Sequence, residues 1–222
     1  MIPVITVDGP AASGKTSLTQ ALAVRLSYKM LISGILYRGV AYRVQTQKIP
    51  MDSRDGLLTA IRSLHISFQS DGRELKVLLD GDDVSSAIST ETCAELASQL
   101  ATMEDVRAAL IDYQRSFCVL PGLVAEGRDM GTVVFPDAGL KIYLDASVSS
   151  RARRRYEQLR QKGIDVKIEK VFQQINKRDE CDRLRTASPL KPAADAVLVN
   201  NTHQTIEQTI EEVLELKKSI YG

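Results

Sequence analysis

The 222-residue length suits one sizeable domain with room for a small insertion. Hydrophobic residues make up 44% and charged residues 26%, as in an ordinary soluble protein, and the net charge of +1 gives no global argument for binding nucleic acid or an acidic membrane. Three scattered cysteines without a C-x-x-C pair argue against a disulfide framework or zinc site, and no targeting or lipidation signal is recognisable, so we expect a cytoplasmic protein.

Short apolar segments alternate with helical patterns along most of the chain. Each apolar segment is continuous and bounded by polar residues, Gly or Pro, as in strands buried on both faces of a parallel sheet. The predicted strands are 4–7, 123–125, 142–144 and 196–199, and the predicted helices are 15–26, 34–47, 102–117, 149–161 and 205–220. This alternation predicts an α/β fold with a central parallel sheet flanked by helices, whose ligands lie at the carboxyl ends of the strands.

One segment interrupts this alternation. The sequence HISFQSDGRELKVLLDGDDVS, from His65 to Ser85, has a period of two on either side of Ser70-Asp71-Gly72, which is a turn signal. We therefore predict an antiparallel hairpin within an inserted subdomain that covers about 63–99.

The most informative motif follows the first strand. Residues 9–16 fit G-x-x-x-x-G-K-[ST], in which backbone N–H groups and a helix N-terminus surround the phosphates of a nucleoside triphosphate. Lys15 would reach the β- and γ-phosphates, and Thr16 would ligate Mg²⁺. The residues predicted to bind ATP here are Gly9, Pro10, Ala11, Ala12, Ser13, Gly14, Lys15, Thr16 and Ser17.

The phosphate loop alone does not separate switches, motors and small-molecule kinases. Residues 176–179 match the N-K-x-D motif of GTPases, which belongs at the end of a strand. The surrounding sequence instead has the apolar spacing of a helix, and no D-x-x-G motif occurs anywhere in the chain. The GTPase interpretation is therefore disfavoured.

Three further clusters are unusual for a simple ATPase. The first is SGILYRG (33–39), and the second is EGRDMGTVV (126–134), which directly follows a predicted strand. The third is RDECDRLR (178–185), within a stretch from residue 151 to 185 that holds eight of the 17 arginines. An anion site explains the second cluster better than ordinary ion pairing at the surface does. The third cluster, taken on its own, also fits the solvent-exposed face of a helix.

These clusters make the sequence resemble the bacterial cytidylate kinases, a family of nucleoside monophosphate kinases. The resemblance is carried by DGPAASGK, SGILYR, EGRDMGTVVFPDA, KIYLDAS, RARRR and RDECDR…SPL, and it extends from Val4 to about Thr202. It implies a P-loop kinase fold with a core of residues 1–62, 100–150 and 186–222. The NMP-binding insertion would cover about 63–99 and a helical lid region about 151–185, with the mobile part near 153–166.

The resemblance also implies roles for individual residues. Arg38 and Arg128 would hold the CMP phosphate, and Arg178 with Asp182 would bind the ribose. Ser33, Ser98, Arg107, Asp129 and Arg185 would surround the cytosine, and Tyr37 would complete the CMP site. Arg151, Arg154 and Arg155 would contribute to the ATP site. The residues expected to act in catalysis are Lys15, Arg128, Arg154 and Arg178.

The activity expected from this resemblance is in-line transfer of the γ-phosphoryl group of ATP to CMP, and to dCMP, by a monomer that uses Mg²⁺. Two departures from the family pattern are visible: Ile32 stands where the family usually has Asp, and Asn200 where it often has Asp. Glu126 could take a metal-facing role through water. The alternatives are another small-molecule kinase, for uridylate, deoxynucleotide or shikimate, and a nucleotide-binding module with weakened catalysis.

Overall fold

The structure is a computed structural model that describes residues 2–70, 75–161, 163–184 and 188–221. The strands are β1 (Val4–Asp8), β2 (Lys29–Ile32), β3 (Ile66–Ser70), β4 (Leu75–Leu79), β5 (Asp82–Asp83), β6 (Leu123–Gly127), β7 (Leu140–Asp145) and β8 (Val197–Asn200). The helices are α1 (Lys15–Leu26), α2 (Ser33–Thr46), α3 (Arg54–Arg62), α4 (Glu91–Leu100), α5 (Glu104–Arg115), α6 (Val148–Gln161), α7 (Ile168–Leu184) and α8 (Ile206–Tyr221).

The chain divides into two units. Among the described residues, the smaller unit comprises Ile2 and those within 23–123, and the larger unit comprises those within 3–22 and 124–221. None of the helices in the described ranges has the length and apolar character needed to cross a bilayer.

The larger unit contains the parallel strands that follow one another in the order β6-β1-β7-β8. Strand β1 pairs in parallel with β7 through Ile5 and Leu140, and β7 pairs in parallel with β8 through Ile142 and Val197. All five residues of β1 are buried, the apolar Val4, Ile5 and Val7 as well as the polar Thr6 and Asp8, as expected of a strand covered on both faces. The predicted parallel sheet is confirmed.

The smaller unit combines helices α2 to α5 with an antiparallel sheet of order β3-β4-β5. Ile66 pairs with Leu79 and Ser70 with Leu75, so the predicted hairpin is confirmed. Two residues of its turn, Asp71 and Gly72, lie outside the described residues. The functional division into core, insertion and lid stays a prediction.

The predicted helices all occur, with ends shifted by one or two residues. The sequence did not predict α3 or α4. It also did not predict the π-helical turn Met130–Val134, which directly follows the Gly-Arg-Asp of the second cluster. This turn bears directly on the candidate site.

Candidate active site

The phosphate loop joins β1 to α1 in a backbone conformation that requires glycine. Gly9 has φ +151°, and a Cβ atom there would lie 2.1 Å from the carbonyl oxygen of Leu144. Gly14 also has a positive φ of +95°, and α1 begins at the next residue, Lys15. The N–H groups of the first helical turn are therefore directed toward the loop, which forms an anion site.

Lys15 is buried inside this loop. Its ammonium donates to the carbonyl oxygen of Pro10 at 2.6 Å and to Ser13 Oγ at 3.4 Å. Burial, followed by the positive charge of Arg128, lowers its pKa to about 7. The negative charge of Glu126 acts in the opposite direction. An anionic phosphate would supply the charge compensation that this buried ammonium needs.

Thr16 and Glu126 form a second polar pair beside the loop. Thr16 Oγ1 donates to Glu126 Oε1 at 2.9 Å, and Glu126 stands in the buried strand β6. Burial raises the pKa of this carboxyl, and among the described residues its other oxygen, Oε2, has no hydrogen-bond partner. A hydroxyl and a carboxylate are oxygen ligands of the kind that Mg²⁺ prefers, so the predicted pair fits the ion.

The rest of a magnesium coordination shell would have to come from elsewhere. No cluster of three or more His, Cys, Asp or Glu side chains suited to a metal occurs within the described ranges. Mg²⁺ commonly retains several waters and binds substrate phosphates together with one or two protein oxygens. The Thr16–Glu126 pair therefore fits a metal that arrives with a nucleotide.

Asp8 is a residue of this site to which the sequence analysis assigned no role. It ends β1, and its carboxylate accepts hydrogen bonds from the backbone N–H of Met130 at 2.9 Å and of Gly131 at 2.8 Å. Burial raises its pKa to about 6, although these two hydrogen bonds favour the charged form. Asp8 thus fixes the π-helical turn that begins immediately after Asp129.

Arg128 and Asp182, both predicted to bind CMP, are ion-paired with each other. Arg128 Nε donates to Asp182 Oδ2 at 2.8 Å, and Asp182 is buried on α7. The charges of Arg128 and Arg178 both lower the pKa of Lys15. The larger unit thus brings three predicted site residues into electrostatic contact with the phosphate loop or with each other.

Two of the three predicted lid arginines contact the phosphate loop directly. Arg151 is fully buried, donates to the carbonyl oxygen of Ala11 at 3.0 Å, and forms an ion pair with Asp179 at 2.6 Å. Arg154 Nη1 donates to the carbonyl oxygen of Ser13 at 3.2 Å. Arg155 is exposed.

Asn201 connects Arg154 to the loop, a role that the sequence did not predict, since the neighbouring Asn200 stood out only as a departure from the family pattern. The Asn201 side chain donates from Nδ2 to the Ser13 carbonyl at 2.9 Å and accepts at Oδ1 from Arg154 Nη1 at 3.0 Å. Arg154 Nη2 also donates to the backbone oxygen of Asn201 at 2.6 Å. Asn200 itself is exposed.

The smaller unit holds five more of the predicted CMP-binding residues. Arg38 Nη1 donates to the carbonyl oxygen of Ile88 at 2.7 Å, and Arg107 Nη1 lies 3.5 Å from the hydroxyl of Tyr37. Ser33 Oγ accepts from Gln114 Nε2 at 3.0 Å, while Ser98 is exposed on α4. Asp129 belongs to the larger unit, and Arg185 lies outside the described residues.

Comparison with known proteins identifies the family. A family model described as cytidylate kinase matches residues 5–219. The chain belongs to the cytidylate kinase family. It is 46% identical over 214 residues to the cytidylate kinase of Aeromonas salmonicida (strain A449), covering 96% of this chain and 93% of that protein. It is 47% identical over 213 residues to the cytidylate kinase of Shigella boydii serotype 4 (strain Sb227), covering 96% and 94%.

Among solved structures, the shikimate kinase from Acinetobacter baumannii in complex with shikimate aligns with a TM-score of 0.50 and 14% identity, covering 99% of this chain and 94% of that one. At this identity the likeness shows the kinase fold alone. The family match confirms the resemblance that the motifs indicated. It also confirms the prediction that this protein is a kinase.

One departure from the cytidylate kinase pattern has a clear structural setting. Ile32 ends β2 at the N-cap position of α2, is 2% exposed, and its aliphatic side chain caps no backbone N–H. The usual Asp would be a good N-cap residue at this position. Here an apolar side chain fills a buried position instead.

Proposed function

We propose that the protein transfers the γ-phosphoryl group of ATP to the phosphate of CMP, and of dCMP, as a monomer. The observation that carries this proposal is the arrangement of charge around Lys15. A buried ammonium in a phosphate loop is flanked by Arg128, Arg178 and the Glu126 carboxylate, all of which act on its pKa. Both relatives are named cytidylate kinases, which supports CMP as the acceptor.

The chemistry requires no protein nucleophile. An oxygen of the CMP phosphate attacks the γ-phosphorus in line with the departing ADP oxygen, so the bond to CMP forms as the bond to ADP breaks. The protein supplies positioning and positive charge, which Lys15, Arg128, Arg154 and Arg178 would provide. Because Lys15 is buried beside the loop N–H groups, its charge acts with little screening by water.

Thr16 and Glu126 are the residues that would hold Mg²⁺, Thr16 through its hydroxyl and Glu126 through water. When bound, Mg²⁺ would neutralise charge on the β- and γ-phosphates. We propose that CMP binds Ser33, Tyr37, Arg38, Ser98, Arg107, Arg128, Asp129, Arg178, Asp182 and Arg185. Arg and Asp side chains can distinguish cytosine from uracil because the two bases exchange a hydrogen-bond donor and an acceptor at two atoms.

The test is ADP release from Mg·ATP, with CMP, dCMP, UMP, AMP, GMP and shikimate offered singly to the purified protein. We expect turnover with CMP and dCMP only. Lys15→Ala should abolish it without unfolding the protein, because the ammonium contributes to binding and charge rather than to the apolar core. Lys218→Ala, which changes an exposed lysine on α8, is the matched control and should leave the rate unchanged.

The outcomes separate the competing functions. Turnover with UMP, AMP, GMP or shikimate, in place of CMP, would replace the proposal with a related kinase. ATP binding without turnover of any acceptor would indicate a nucleotide-binding module, and Ile32→Asp is then the variant that should restore activity. Wild-type activity in Lys15→Ala would contradict the assignment of the phosphate loop.

A further inference from the structure

Asp8 joins the end of β1 to the turn that follows Asp129. Its two carboxylate oxygens accept from different backbone N–H groups, Oδ1 from Met130 at 2.9 Å and Oδ2 from Gly131 at 2.8 Å. Asp8 is 5% exposed, so these hydrogen bonds form where little water can compete with them. Because hydrogen bonds to a carboxylate are stronger than neutral ones, both N–H groups are held firmly.

The peptide group between Asp129 and Met130 is bonded at both ends. Its N–H, which belongs to Met130, donates to Asp8. Its carbonyl oxygen accepts from the N–H groups of Val133 at 2.9 Å and Val134 at 3.2 Å. Since a peptide group is planar, bonds on its two opposite sides fix its orientation. Asp129 itself has φ −143° and ψ 23°, which is neither helical nor extended, so regular secondary structure does not set the direction of its side chain.

The turn lies so close to β1 that a side chain at residue 131 would force a neighbour to move. A Cβ atom there would lie 2.9 Å from Thr6 Oγ1, 3.2 Å from Lys141 Cδ and 3.4 Å from Asp8 Oδ2. Thr6 and Asp8 share one face of β1, because side chains alternate along a strand. The glycine and the carboxylate therefore form one matched contact, which can be altered from either side.

Resting on the CMP kinase function proposed above, we propose that Asp8 is a positioning residue for the CMP site. By holding the N–H groups of Met130 and Gly131, it fixes the backbone that carries Asp129, the carboxylate assigned above to the cytosine. Asp8 acts through Asp129 and does not itself touch CMP. Although the phosphate loop begins at the next residue, Gly9, this role concerns the acceptor nucleotide and not ATP.

Asp8→Asn tests this role from the side of the carboxylate. Asparagine keeps one acceptor oxygen but places an NH₂ group against the second backbone N–H, so one of the two hydrogen bonds is lost. We expect the KM for CMP to rise about tenfold and the KM for ATP to rise less than about twofold. The ATP value should change little because the hydrogen bonds that hold Lys15 in the phosphate loop do not involve Asp8.

Gly131→Ala tests the same contact from the side of the turn and keeps the charge of Asp8. The added methyl group would lie too close to Thr6, so the turn must move away from β1. We expect the KM for CMP to rise about tenfold again, with little change for ATP. Asp137→Asn, which changes an exposed carboxylate shortly after the turn, is the control and should leave both KM values unchanged.

A double-substitution cycle separates positioning from a general loss of structure. In an Asp129→Ala background, Asp8→Asn should raise the KM for CMP by less than a further factor of about two, because both changes act through the same carboxylate. A defect in folding would instead add its full effect in that background. Thermal unfolding shows that each variant is folded.

A change in KM for ATP would reveal the competing explanation. Burial raises the pKa of Asp8, and the positive charge of Lys15 acts against it, so the two side chains interact electrostatically. If Asp8 acted through this charge, Asp8→Asn would raise the KM for ATP at least as much as that for CMP. Gly131→Ala would then leave the KM for CMP unchanged. Either result overturns the role of Asp8.

Calorimetric binding of CMP and of ATP to the wild type and the variants accompanies the kinetics. If the wild type binds CMP without phosphorylating it, the proposed function fails, and the ratios of dissociation constants still decide the role of Asp8. Normal turnover of CMP by the wild type, with an unchanged KM for CMP in Asp8→Asn, overturns the role of Asp8 and leaves the function intact. Full additivity with Asp129→Ala does the same. A wild type that binds no CMP overturns both proposals.

Discussion

Asn201 donates a hydrogen bond from its side-chain amide to the backbone carbonyl of Ser13, 2.9 Å away in the phosphate loop. The other end of the same amide accepts from Arg154 at 3.0 Å, and the Asn201 residue is 3% exposed. Asn201 therefore holds both the loop and an arginine predicted to bind ATP. Its own backbone N–H is anchored to the carbonyl of Asp145 at 2.9 Å, at the end of β7.

We predict that Asn201→Ala raises the KM for ATP several-fold and that for CMP much less. Two buried side-chain hydrogen bonds are lost, which also lowers the free energy of unfolding by about 1–3 kcal/mol. Initial rates with each substrate varied in turn measure the two KM values. Asn176→Ala, at an exposed asparagine on α7, is the control. Equal increases in both KM values would contradict a role confined to the ATP side.

Asp129 offers a second test, directed at the other substrate. It is 6% exposed and immediately precedes the π-helical turn Met130–Val134. We predict that Asp129→Ala raises the KM for CMP much more than that for ATP, because the resemblance assigns this carboxylate to the cytosine. Asp137→Ala, which removes an exposed carboxylate nearby in sequence, should change neither. A shift shared by both substrates would place Asp129 outside the monophosphate site.

The sequence predicted much of the fold because the decisive patterns are local. Strands β1 and β6 are buried along their length and β7 up to its last residue, so each contains the mainly apolar run from which it was predicted. The phosphate loop is equally local, since its glycines and lysine lie within eight residues. Helices α3 and α4 escaped prediction because they are short, with nine and ten residues, and α4 also lies within the segment that interrupts the alternation of strands and helices.

The contacts made by Asp8, Asn201 and Gln114 could not be predicted, since each depends on residues distant in the sequence. Asp8 binds the turn at Met130, 122 residues further along the chain, and Asn201 binds Ser13 across 188 residues. No spacing rule connects such pairs. A polar residue at the end of the first strand was the one available signal for Asp8.

The Thr16–Glu126 pair leads to a prediction for magnesium. Glu126→Gln keeps an oxygen that can accept from Thr16 Oγ1 but removes the negative charge. We predict that the Mg²⁺ concentration for half-maximal activity rises several-fold while the melting temperature changes little, since Oε2 has no hydrogen-bond partner within the described residues. Glu207→Gln on the exposed side of α8 is the control. An unchanged magnesium dependence would show that Glu126 has no metal-facing role.

Asp8 gives a prediction for stability against pH. Its pKa is raised from 3.8 to about 6, so the folded protein holds this proton more tightly than the unfolded chain does. The contribution of Asp8 to the free energy of unfolding is therefore fully present below about pH 4 and is lost as the pH rises through about 6. In Asp8→Asn, residue 8 does not titrate, so the free energy of unfolding of this variant lacks the pH dependence that Asp8 contributes.

The quantity to measure is the difference in free energy of unfolding between wild type and Asp8→Asn, from urea denaturation at a series of pH values. Other titrating groups cancel in this difference. The wild type should lose stability relative to the variant between about pH 4 and 6, by on the order of 3 kcal/mol, and the difference should then stay constant. Asp137→Asn, at an exposed carboxylate, should follow the wild-type profile. Parallel profiles for wild type and Asp8→Asn would show that the buried carboxyl titrates at its ordinary pKa, so that burial is fully offset by the hydrogen bonds from Met130 and Gly131.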